Sequence, residues 1–171
     1  MKTIDKSQLR KIIEIELKKI IKENLLDGEK SVNLYLDNSL DRCSKNRDLL
    51  YDFISFCKEL LKINHPVNVE IVSSREENNI DTTAFYSPED HEIKIYGKDR
   101  AIVDICRSIA HEMTHMMQMI NGDIKFPVQD AGGEIEDEAN AKAGEIIKIF
   151  AKSSPERKTI YERKLNSLSL V

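Results

Sequence analysis

The sequence is poor in cysteine and histidine and has no excess of either charge, and each scarcity closes off a class of function. Three cysteines, Cys43, Cys57 and Cys106, lie far apart in 171 residues with no Cys-x-x-Cys pair. An odd, scattered set does not make a disulfide framework, so reduced and mostly buried thiols are expected. Lys and Arg number 26 against 30 Asp and Glu, for a net charge of −4. A nearly balanced mixture is not built to hold a phosphate backbone, and nucleic acid is not an expected partner. No uncharged apolar block follows Met1, and no run reaches the length of a membrane span, which predicts a cytoplasmic protein without a membrane partner. Repeats and low-complexity linkers are missing too. What is present, 40% hydrophobic residues, suffices for a packed core, and the length suits one domain over 1–171.

Along the chain the hydrophobic period changes twice. Leu9, Ile12, Ile13, Leu17, Ile20, Ile21 and Leu25 recur every three or four residues, predicting a helix over 7–26 that Asp27-Gly28 stops. Residues 31–38 fit neither period. Leu49, Leu50, Phe53, Ile54, Cys57, Leu60 and Leu61 predict a second helix over 46–63, completing an N-terminal helical part, 1–63. Past Pro66 the spacing becomes that of strands: Val67, Val69 and Ile71 alternate with Asn68 and Glu70. Two further strands, 81–87 and 91–96, flank Ser87-Pro88-Glu89-Asp90 and read as a hairpin. A long helix is expected from a cap at Asp99 to Asn121-Gly122, then a loop, a helix over 134–152, and a short last helix opened by Ser154-Pro155-Glu156. The predicted class is α+β, with a small antiparallel sheet and a core spanning 67–152.

One pentapeptide carries chemistry: His111-Glu112-Met113-Thr114-His115. Two histidines four apart on a helix project from one face, where a single zinc ion can accept both imidazoles. The glutamate between them sits beside the metal and can take a proton from water. Ile102, Cys106, Ile109, Met113, Met116 and Ile120 form the expected buried stripe. His111 and His115 lie off it, beside Ser108 and Asp104, at the edge of a cleft. A catalytic zinc wants a third protein ligand. His65 and His91 have no motif that places them there. Glu136 is the first candidate, because Ala139, Asn140 and Ala143 share its side, with Gly144 adjacent, and small residues let two helices approach. Glu138 is second and Glu134 third. Asn140, one turn after Glu136, can hydrogen-bond a ligand.

The pair of segments, HExxH followed by Glu136-Asp137-Glu138-Ala139-Asn140-Ala141, resembles the gluzincin zinc metallopeptidases. It is most similar to the small bacterial and phage-borne ImmA/IrrE-type enzymes, over roughly 67–150. The resemblance implies a zincin-like (minigluzincin) domain in which His111, His115 and Glu136 bind Zn2+ and Asn140 supports a ligand. It also implies a hairpin strand from 82–96 lying along the cleft, and a peptide or protein substrate. Glu112 would then be the general base of peptide-bond hydrolysis. Larger gluzincins add a histidine or tyrosine for the oxyanion. Tyr86, His91, Tyr96 and Tyr161 qualify here on chemical type alone. The alternative is a catalytically weak or inactive zinc-binding scaffold of the same fold. Nothing in the sequence sets the oligomeric state.

Overall fold

The computed structural model describes residues 31–41, 43–76, 82–88, 91–124 and 133–165. The helix expected over 7–26, most of the loop after Gly122 and the tail past Leu165 lie outside these residues.

The undecided stretch 31–38 is a strand. β1 (Val32–Leu36) precedes α1 (Ser44–Leu60), β2 (Val67–Val72), β3 (Ala84–Ser87), β4 (Glu92–Tyr96), α2 (Ile102–Asn121), α3 (Glu134–Ser153) and α4 (Pro155–Lys158), with a 3-10 turn at Thr159–Tyr161. The part up to residue 63 is therefore not wholly helical. The class is α+β. The sheet order is β1-β2-β4-β3, and the sheet is mixed rather than antiparallel. β1 pairs parallel to β2 and β2 parallel to β4; only the β3–β4 hairpin is antiparallel. The reason is connectivity. α1 carries the chain back between β1 and β2, and after β2 the chain runs out to the edge as β3 before returning as β4. Alternating hydrophobicity fixes which face is buried and says nothing of strand direction.

The buried face is continuous across the sheet: Val69 stands level with Ile93 and Ile71 with Ile95, and all four are buried. The opposite face is polar, where Lys94 reaches Glu70 at 3.3 Å and Glu92 at 3.5 Å. Leu49, Leu50, Phe53, Ile54 and Cys57 of α1 fill the core as predicted, while Leu60 is 45% exposed. Phe53 meets Phe150 of α3 edge-on at 5.0 Å, tying the two helices together. Cys43, Cys57 and Cys106 are free thiols, the latter two buried.

α2 starts later than expected. Asp99 sits in a turn at φ 60°, and the N-cap is Ala101, whose side chain caps nothing. The first helical N–H, that of Ile102, is instead taken by the Arg163 carbonyl at 2.9 Å. A distant segment thus does the work expected of a local cap, and Asn46, buried in α1, holds that segment by donating to the Lys164 and Leu165 carbonyls. Gly122 ends α2 at φ 81°, as the sequence requires. Ile102, Cys106, Ile109, Met113 and Met116 are buried, but Ile120 is 40% exposed, being in the last turn. Ser154 caps α4 through its hydroxyl, which accepts from the Arg157 N–H at 3.2 Å. No helix among the described residues is long and apolar enough to cross a membrane.

Gly97, between the sheet and α2, is a tight point. A Cβ there would lie 2.4 Å from Ile71 Cγ2 and 2.9 Å from Leu165 Cδ2. Gly97→Ala is expected to lower stability by about 1–3 kcal/mol, the usual range for overpacking, read as an earlier urea midpoint.

Candidate metal centre

Residues 107, 111, 115 and 119 form one row along α2, each a turn beyond the last, and all four line a single cleft of about 590 Å³. Behind that row the apolar stripe anchors α2 in the core, so the row faces outwards. α3 crosses beside it, with Ala139 and Ala143 buried at the contact. Gly144 contributes no closeness, since a Cβ there would meet nothing within 4 Å.

Among the described residues, one group of three His, Cys or acidic ligand atoms falls within 4.8 Å of one another: His111, His115 and Glu136. The two Nε2 atoms are 3.0 Å apart. Glu136 Oε2 lies 3.3 Å from His111 Nε2 and Oε1 lies 3.1 Å from His115 Nε2. Glu136 stands in the first turn of α3, where the helix dipole favours an acidic side chain.

Gln118, fully buried, sets the tautomer of His115. Its amide nitrogen donates to the Ile135 carbonyl at 3.1 Å and to Glu138 Oε2 at 2.8 Å. Its oxygen, 2.8 Å from His115 Nδ1, is therefore left to accept. Nδ1 then carries the proton, and the Nε2 lone pair is aimed at the centre. Asn140 lines the same cleft, and its side chain exerts the smallest influence on His111, raising its pKa. Burial, and then the neighbouring His115, hold the His111 pKa below its ordinary value, which favours the neutral, lone-pair form. Two neutral imidazoles, whose Nε2 atoms converge, and a carboxylate form a donor-rich pocket that a divalent cation fits. Nitrogen and oxygen donors of this kind suit zinc and other first-row metals.

Glu112 lines the same cleft and is 9% exposed. Burial raises its pKa, and the charge on Glu136 adds to the rise, to about 7. The Tyr86 backbone N–H donates to Glu112 and opposes that rise. The base thus faces β3, the edge strand, and residues 82–86 form one wall of the cleft.

The other candidates fall away from this point. Glu138 is held by Lys142 at 2.6 Å and by Gln118, and Lys142 is the main cause of its lowered pKa. Glu134 is exposed at the start of α3. His65 and His91 stack on each other at 5.6 Å, and the Tyr86 hydroxyl is engaged with His91 Nδ1 at 3.1 Å. Tyr96 lies beneath the Arg75 guanidinium, and Tyr161 is half-exposed on the 3-10 turn. Gln118 is the residue that sequence reasoning missed. Its signal was its place one turn beyond His115, on the metal side of an otherwise apolar run. Gln118→Leu is expected to weaken zinc binding about 10–100-fold, the usual cost of losing a partner behind a ligating histidine, measured by competition with a chromophoric chelator.

No protein-family model, curated protein or solved structure matches this chain.

Proposed function

We propose that the chain is a zinc-dependent metallopeptidase of the gluzincin type, with a zincin-like core. The observation that carries this is the convergence of three ligand atoms from two helices on a point beside a buried glutamate, on one wall of an open cleft. His111, His115 and Glu136 would hold the ion, with Gln118 orienting the His115 imidazole and Asn140 lining the same cleft. A divalent cation in such a site supplies Lewis acidity, which acidifies water and polarises a carbonyl.

The remaining work falls to the protein's own groups. Glu112, desolvated and close to neutral in pKa, takes the proton of the attacking water and returns it to the departing amine. The Tyr86 backbone, beside that carboxylate, opposes the rise in its pKa. The free edge of β3 can pair with an extended peptide and lay it across the α2 row.

A second reading has one observation in its favour. The Tyr86 hydroxyl is occupied by His91, and none of the tyrosines named above presents a free hydroxyl to the centre. A zinc-binding scaffold that does not hydrolyse peptides needs none. One experiment separates the two. The purified protein should carry about one zinc per chain, and a pool of ten-residue peptides should be cut in a way that chelation stops and added zinc restores. Zinc without cleavage supports the scaffold. Absence of zinc uptake overturns both.

A further inference from the structure

The α2 row begins with a residue that the proposed chemistry does not use. Arg107 is exposed and lines the cleft one turn before His111. Six arginines are described, and five have partners: Arg47 pairs with Asp41, Arg157 with Asp52, Arg163 with Asn46, Arg100 with two backbone carbonyls and Ser108, and Arg75 with the Tyr96 ring. Arg107 alone has none among the described residues. Of the charged side chains on the cleft wall, Glu112 and Glu136 belong to the centre. Arg107 thus places at this end of the cleft a positive charge that no described side chain pairs with.

The opposite end of the row differs. Met119, with Ile124 and Ile135 nearby, is apolar. The cleft therefore has a cationic end and a greasy end, with the ligand atoms between them. A guanidinium presents a planar fork of donors that fits a carboxylate, and it is more weakly hydrated than an ammonium, so it gives up its water at smaller cost.

From this we infer that Arg107 is a specificity residue that selects peptides carrying a carboxylate near the bond to be cut. The inference rests on the peptidase reading above and names its substrate class. One helical turn advances about 5.4 Å and an extended peptide about 3.3 Å per residue, so the carboxylate belongs one to three residues from that bond. Either an Asp or Glu side chain or a free chain terminus supplies the same chemistry.

The test uses the full chain, zinc-loaded, as Glu112→Gln so that bound peptides persist. Ten-residue peptides bearing an uncharged fluorophore are offered in acidic, amide and lysine-containing pools, each with a free or an amidated C-terminus, and binding is read by anisotropy. The acidic pool should bind roughly three- to ten-fold tighter than the amide pool, with the difference shrinking as salt rises. Compared in that same Glu112→Gln background, Arg107→Lys should keep the order of preference, Arg107→Ala should lower the ratio, and Arg107→Glu should lower it further, towards the lysine pool. Tighter binding of the acidic pool than of the amide pool assigns the carboxylate to a side chain; tighter binding of every pool with a free terminus than of its amidated form assigns it to the chain terminus. Equal binding of all pools, or a ratio that Arg107→Glu leaves unchanged, overturns the inference and leaves the peptidase reading standing. Failure of every pool to bind overturns both.

Discussion

Glu112→Gln is expected to leave zinc bound at about one equivalent and to lower peptide hydrolysis by about 10²–10⁴-fold, the span attributed to a positioned acid or base. The glutamine has nearly the same shape, and its amide oxygen can still accept from the Tyr86 N–H. What it loses is the capacity to take a proton. Three measurements on the same sample decide the matter: metal content, turnover of a cleaved peptide, and thermal unfolding. Retained turnover at normal zinc content would move the base elsewhere, whereas lost zinc would make Glu112 part of the metal's support rather than of the chemistry.

The paired variants Glu136→Ala and Glu138→Ala should separate by a wide margin. Glu136 offers its two oxygens within 3.1 and 3.3 Å of the imidazole nitrogens, so its removal deletes a donor and should weaken zinc affinity by more than about 100-fold, beyond the cost of losing an orienting partner. Glu138 touches Lys142 and Gln118 and no metal-facing nitrogen. Its loss frees one hydrogen on the Gln118 amide while the bond to the Ile135 carbonyl remains. Zinc affinity should then fall less than about ten-fold. The reverse order in chelator competition would show that the third donor had been wrongly assigned.

The cluster of His111, His115 and Glu136 was legible because its parts are local. Helical periodicity alone puts His111 above His115, and it puts Asn140 one turn from Glu136. Joining the two helices needed only the small residues Ala139 and Ala143, both of which are buried. The features not read from sequence depend on contacts between distant segments. Alternation in Val67–Val72 marks a half-buried strand but carries no direction, and the parallel pairing follows from where α1 and the β3–β4 hairpin lead the chain. Asp99 has the residue type of a cap, yet the start of α2 is satisfied by a carbonyl some sixty residues on. Gly144 looked like a contact residue because it is small, and it faces open space. Gln118 was hidden by its surroundings in an apolar stripe, where its polarity was the signal.

The borrowed carbonyl at the head of α2 also orders events in time. During synthesis Arg163 is added after the whole of the His111–His115 helix, so until then the leading N–H of that helix lacks the carbonyl that takes it in the folded protein. The strap formed by residues 163–165, closed by the Ala101–Lys164 bridge and the Leu165 N–H on the Arg100 carbonyl, arrives after both α3 and α4. A chain that ended between α4 and Arg163 would hold all three candidate metal ligands while lacking the clasp that fixes the first turn of the helix bearing two of them.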